Sequence, residues 1–317
     1  MKRFSLQIWI FIGVMTVTLV LIGTVLPYNQ NGYLREFFVK ERILQNPERH
    51  PAIILVGGSN VAFGFNSPFI EDSLGIPVIN TGLISGLGLK CMVEKTLPYL
   101  EKGDILVLSP EYEHFFENVA YGAVALTDLF FLNKGKDAYM LNPIQWRILI
   151  QNTPRSLRNK VEDQIIGHFF PNKETVYRLS SFNSNGDVVA HWQQKHDLLK
   201  ITTKKQAPRK INARFVDWLG EQLQNISEKD IHTVILPPIL AATSFANIKD
   251  EIDLVDSALR KIGFPFICAP EEMAYPDSLF YDGVYHLDSL GAAIHSDDLI
   301  RILNEHNIVP RQNVTIK

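Results

Sequence analysis

Five short apolar runs, each ending at a turn, constrain this 317-residue chain more than any other feature. Ala52-Ile53-Ile54-Leu55-Val56 stops at Gly57-Gly58-Ser59-Asn60. A continuous branched run without polar alternation suits a parallel strand buried on both faces. Pro77-Val78-Ile79-Asn80 closes with Thr81-Gly82, and Ile105-Leu106-Val107-Leu108-Ser109 follows the turn Gly103-Asp104. Thr233-Val234-Ile235-Leu236 ends at Pro237-Pro238, and Phe264-Pro265-Phe266-Ile267-Cys268 ends at Ala269-Pro270. Helical patterns fall at about 86–101, 211–228, 245–262 and 289–305. This alternation predicts an α/β fold, three layers deep (α/β/α), around a doubly wound parallel sheet of five strands. In such sheets ligands bind beyond the carboxyl ends of the strands, which is where Ser59, Gly82 and Glu111 fall.

The amino terminus carries a different signal. From Phe4 to Leu26 there are 23 residues without a charge, preceded by Met-Lys-Arg. At 1.5 Å per residue a helix of that length spans roughly 35 Å, enough to cross a bilayer. A cleaved signal peptide is the rival reading, but its apolar region is ordinarily shorter. Gly23-Thr24-Val25-Leu26-Pro27 also matches a small-x-small cleavage site poorly. The expectation is a transmembrane anchor over 1–27, with residues 4–26 in the membrane, a polar linker over 28–50 carrying a short helix near Tyr33 to Leu44, and a domain over 51–317. Lys2 and Arg3 favour a cytoplasmic amino terminus, and Arg35, Lys40 and Arg42 weigh against it on the other side. Long domains translocate largely regardless of such charges, so a single-pass protein with an extracytoplasmic domain is expected.

Between about 114 and 210 the pattern breaks. A helix is expected around Pro143 to Asn152, and a polar, Gly- and Asn-containing segment lies near 183–187, the whole forming an insertion that is either a lid or a structural cap. Net charge is −3, with 31 basic and 34 acidic residues and no basic stripe, so nucleic acid is not an expected partner. Cys91 and Cys268 are the only cysteines, and neither they nor the histidines fall at metal-ligand spacing; no metal or diffusible cofactor is implied. Both thiols read as buried apolar groups. His114, His168, His191 and His295 read as surface or lid residues, and Trp146 and Trp192 as packing aromatics.

Ser59 follows a buried strand, where a turn exposes a hydroxyl while nearby N–H groups face a developing oxyanion. Alone it reads as a helix cap or a phosphate ligand in a glycine turn ahead of a nucleophile, so a partner is needed. A partner pair stands near the other end, in Tyr281-Asp282-Gly283-Val284-Tyr285-His286-Leu287-Asp288. An Asp bonded to one ring nitrogen sets the tautomer and leaves the other nitrogen free to take the proton of serine. Asp282 is the first candidate for that role; Asp288 and Asp277 are rivals.

Together these blocks resemble the SGNH/GDSL hydrolase superfamily over roughly residues 52–112 and 232–305. Val56-Gly57-Gly58-Ser59-Asn60 is similar to its nucleophile block, Asn80-Thr81-Gly82 to its oxyanion-glycine block, and Asp282, His286, Leu287 and Gly291 to its last block. The resemblance implies a flavodoxin-like five-stranded sheet, Ser59 as nucleophile, His286 as base and Asp282 as its orienter. It also implies an oxyanion site formed by the N–H groups of Ser59 and Gly82. Two departures stand out. The last block has three residues between Asp and His, and the third block, Ser109-Pro110-Glu111-Tyr112, lacks the family's oxyanion Asn, leaving Tyr112 as a candidate substitute.

A membrane-anchored member is similar to the exported proteins that add or remove acyl groups on cell-surface polysaccharides, such as alginate-type acetylation factors and teichoic-acid alanylation proteins. The implied function is a serine-dependent acyl-ester hydrolase or O-acyltransferase acting on a cell-surface glycan. A transfer reaction would add a membrane acyl-donor protein as partner. The alternative is a non-catalytic anchored scaffold or carbohydrate-binding subunit that keeps the fold.

Overall fold

The computed structural model describes residues 2–25, 32–169, 176–194 and 209–309. Residues Lys2–Val25 form one helix, α1, whose Phe4, Trp9, Phe11 and Val14 side chains are exposed. Side chains are described for only part of α1, and among the described residues no helix is long and apolar enough to cross a membrane. The anchor therefore rests on the sequence of residues 4–26, of which Leu26 lies outside the described residues.

From residue 32 onward, the stretch expected as a linker packs onto the domain. Helix α2 (Glu36–Leu44) buries Glu36, Lys40 and Leu44, and His50 places its ring against the buried Asp104 at 2.9 Å. Strand β1 (Ile53–Gly57) then enters the core and ends at the short helix α3 (Ser59–Ala62). Helix α4 (Ser67–Leu74), capped by Asn66, leads to β2 (Val78–Asn80), and α5 (Leu89–Thr96) leads to β3 (Ile105–Ser109). After the inserted helices α6 (Val124–Leu132) and α7 (Pro143–Phe169), α8 (Ala213–Ser227) returns the chain to β4 (His232–Ile235). Helix α7 runs well past the expected Asn152, carrying Pro154 inside it.

The four strands form one parallel sheet in the order β2-β1-β3-β4, with Ile53 paired to Val78 on one side and to Ile105 on the other. Alternate side chains of β1 and β3 serve opposite cores, as the period of a strand requires. Ile54, Val56, Leu106 and Leu108 pack with residues of α5 and α8, while Ile53, Leu55, Ile105 and Val107 pack with residues of α4 and α11 (Ser289–Glu305). Two buried faces explain why the strand sequences are continuously apolar.

The expected fifth strand shrinks to a single parallel bridge between Ile235 and Phe266. Pro265 offers no N–H to a ladder, and the Phe264 N–H is spent on Leu259 O at the end of a helix, leaving only Ile267 to donate to Ile235 O at 2.9 Å. The chain forms a two-stranded parallel sheet from β5 (Leu240–Ala241) and β6 (Ala274–Tyr275) instead, with α9 (Ala242–Asn247) and α10 (Lys249–Lys261) between them.

Candidate active site

The turn after β1 has almost no free space. Asn60 ties it to β3, donating from Nδ2 to Ser109 O at 2.9 Å and accepting the Gly58 N–H at 3.1 Å. A Cβ on Gly58 would lie 2.4 Å from Glu111 Oε1, so only glycine lets the carboxylate come this close. That oxygen accepts the Ser59 hydroxyl at 3.1 Å and the Asn60 N–H at 3.3 Å. Glu111, at the carboxyl end of β3 in the place of the expected third block, is thus the direct partner of Ser59. It is 1% exposed. Glu113 shares a hydrogen bond with it and is pushed up to about 7, first by burial and then by the Glu111 charge.

The other half of the site is a short loop. Tyr281 N–H donates to His286 O at 2.7 Å and His286 N–H to Gly283 O at 3.1 Å, which folds the three intervening residues into a turn. Asp282 and His286 are thereby set side by side, with Oδ1 and Nδ1 2.6 Å apart. Tyr177, from the insertion, donates to the other carboxylate oxygen and lies 3.3 Å from the same ring nitrogen. Burial opposes the charge on Asp282, yet the bonds from His286 and Tyr177 prevail and hold the carboxyl below its usual range. Phe63 stacks on the imidazole at 4.2 Å and 15°. The rivals are committed elsewhere: Asp288 caps α11 through Gly291 N–H at 2.8 Å, and Asp277 accepts from Thr243.

Two tyrosines, Tyr285 and Tyr33, relate the two halves. Tyr285, beside His286, forms a hydrogen bond with the backbone of Tyr112, beside Glu111. Burial raises the phenol of Tyr33, and the charges of Asp282 and Glu111, one from each half, add to it. No hydrogen bond joins Ser59 to His286; the serine proton points to Glu111 instead.

The two other expected site groups are placed differently from the sequence reading. The Gly82 N–H is taken by Asn80 Oδ1 at 2.9 Å, and its carbonyl accepts from Lys40 Nζ. Gly82 itself packs under α3, where an added Cβ would lie 2.6 Å from Ala62 N. Tyr112 turns its ring into the core against Phe266, fully buried, so its hydroxyl does not replace the missing Asn donor. Its phenol is pushed up, chiefly by burial.

Several participants had no signal in the sequence. Lys40 is buried and also donates to Gly186 O at 2.6 Å; burial pulls it down to about 8 despite the nearby carboxylates. The polar turn near 183–187 is a structural clasp: Asn80 N–H donates to Asn185 O, and buried Asp187 accepts from Ser67, Asn80 and Asn183. His114, His191 and His295 are buried rather than superficial, because each ring has packing or a backbone carbonyl to bond, as His191 does with Leu287 O at 2.8 Å. The side chain of His168 and residues 170–175 and 195–208 of the insertion lie outside the described residues.

Ser85 links the serine turn to the outside. Its Cα is 3.2 Å from where a Gly58 Cβ would stand, and it lines an open cleft of about 580 Å³. Glu117, Asn118, Arg147 and Gln151 line the same cleft, so the inserted helix α7 forms one wall. Among the described residues no group of three or more His, Cys, Asp or Glu side chains is placed to hold a metal ion.

Compared with protein families, curated proteins and solved structures, the chain finds no match in any of the three. The site must be interpreted on its own geometry.

Proposed function

We propose that this chain is a membrane-anchored serine esterase or O-acyltransferase of the SGNH type, with Ser59 as nucleophile, His286 as base and Asp282 as its orienter. The observation that carries the reading is the Asp282–His286 pair at 2.6 Å, directed through Nδ1, on a loop whose neighbour Tyr285 reaches the segment that holds Ser59. In that arrangement Nε2 is the nitrogen left for the serine proton. Ser59 would attack an ester carbonyl, His286 would take its proton, and the acyl-serine would pass to water or a sugar hydroxyl while His286 returns the proton. The Asn60 N–H, now met by a carboxylate oxygen, points where an oxyanion would need a donor.

The open cleft beside Ser85 sets Glu117, Asn118, Arg147 and Gln151 among Val119, Ile144 and Ile148, a mixed lining that supports a hydroxyl-rich substrate such as a cell-surface glycan. The uncharged run in α1 supports a single membrane span, and an extracytoplasmic domain follows from the same reading. The four-stranded order with its Ile235–Phe266 bridge is what a five-stranded, flavodoxin-like sheet would leave if its last strand were interrupted by Pro265. A second reading, a non-catalytic scaffold, draws on the Ser59–Glu111 bond and the absence of one to His286.

Hydrolysis of an aryl acetate by the detergent-solubilised full chain separates them. The enzyme reading expects turnover that falls to background in both Ser59→Ala and His286→Ala; turnover unchanged in Ser59→Ala would overturn it, and a folded wild type with no turnover would favour the scaffold.

A further inference from the structure

The third strand delivers a carboxylate to the nucleophile, which is a chemically awkward neighbour for an acyl-transfer site. One oxygen of Glu111 takes both the Ser59 proton and the Asn60 N–H, 3.1 and 3.3 Å away. The hydroxyl is therefore turned from His286, and the backbone donor is already satisfied. An acyl oxyanion arriving at the Asn60 N–H would meet a like charge in a site with little water to screen it. The absence of a side chain at Gly58 makes room for this contact and for nothing larger.

We infer that Glu111 is a catch on Ser59: it holds the hydroxyl and the Asn60 N–H in a resting arrangement and must let both go before the serine can react. The inference rests on the serine reading above and makes Glu111 a positioning residue that restrains the site.

The groups that face the catch determine how it opens. Glu113 lies on the same segment, hydrogen-bonded to Glu111, and carries its proton below about pH 7 because it is buried and beside a like charge. Arg209 and His114 act on Glu113 in the opposite sense. Tyr33, from the segment before β1, and Tyr285, from the histidine loop, both sense Glu111 and stay neutral. A protonated Glu113 shares its hydrogen with Glu111 and weakens the grip on Ser59; loss of that proton as pH rises through about 7 tightens it. Activity then has an alkaline limb of its own.

The test is the rate at which a fluorophosphonate labels Ser59 in the full chain, followed from about pH 5 to about pH 9. Glu111→Gln should label roughly tenfold faster at alkaline pH and lose the alkaline limb, since an amide keeps the shape without the charge. Glu113→Gln, which leaves the catch but removes the titrating proton, should flatten the limb without the tenfold gain; it decides the matter if Glu111→Gln does not fold. Slower labelling in Glu111→Gln would make Glu111 the base of Ser59 and overturn the inference, as would an alkaline limb unchanged in both variants. If wild type labels but the pH profile is unmoved, only the catch fails; if neither folded protein labels, the serine reading fails and takes the catch with it.

Discussion

Ser59 stands on a turn whose backbone has no spare space, whereas His286 stands on a short loop held from outside by Asp282, Tyr177 and Phe63. The nucleophile half is built from the core. Gly58, Asn60 and Glu111 are each 1% exposed or buried, and Gly82 packs against the backbone of α3. The base half is looser: the His286 and Asp282 side chains remain 17% and 35% exposed, and Tyr177 reaches them from the insertion. The difference separates two kinds of failure. Changes around Ser59 should cost stability along with activity, whereas changes around His286 should cost activity with the fold intact.

The largest separation is expected at the base. Asp282→Asn should reduce aryl acetate turnover by up to about 10⁴-fold through the wrong imidazole tautomer, with an unaltered thermal midpoint. A loss of folding in this variant would erase the distinction between the halves. Gly82→Ala is the opposite case: a methyl group 2.6 Å from Ala62 N and Val61 Cβ should overpack the turn and destabilise the domain by about 1–3 kcal/mol. Denaturant unfolding would show it, and a change below the resolution of that measurement would mean that the serine turn is less constrained than its packing indicates.

Acid sharpens the comparison further. His191 and His295 are each pushed down to about 4, chiefly by burial, from 6.5. The unfolded chain binds these protons below about pH 6.5 while the folded one refuses them until about 4, so their contribution to stability is complete above pH 6.5 and is lost as pH falls through that window. The unfolding midpoint should decline there, with a slope reduced in His295→Gln. Asp288→Ala should have the smallest effect, about 1 kcal/mol of stability from a lost helix cap, with turnover retained because the Asp288 carboxylate bonds to Gly291 rather than to His286. A large loss of turnover in Asp288→Ala would transfer the orienting role to it.

Which parts were legible from sequence follows a physical division. β1, β3 and α11 could be read from local patterns because both cores demand continuous apolar runs and because Asp288 followed by helical sequence is a capping signal. The Asp282–His286 pairing was legible for a similar reason, since a turn of this length sets the two side chains together. The fifth strand was overread: its apolar composition is right, but Pro265 removes a donor. Glu111 could be located at a strand end, but its bond to Ser59 depends on the space left by Gly58, a contact between residues more than fifty positions apart. The short helix near Tyr33 and Lys40 is legible, but nothing in the sequence says that it packs beside the site, and Tyr177 comes from the insertion, where no periodicity or spacing marks it. The burial of His114, His191 and His295 has no local signature, because an imidazole is buried where a carbonyl is supplied from elsewhere, as Gly64 O is to His295 at 2.8 Å.

The central claim is that Ser59 is a nucleophile served by His286. Intact-mass analysis after fluorophosphonate treatment, with peptide mapping of the adduct, addresses it most directly. The account predicts one adduct on the peptide containing Ser59 in folded wild type, and none in Ser59→Ala, in His286→Ala or in heat-unfolded protein. An adduct on another residue, or equal labelling of Ser59 with and without His286, would contradict it.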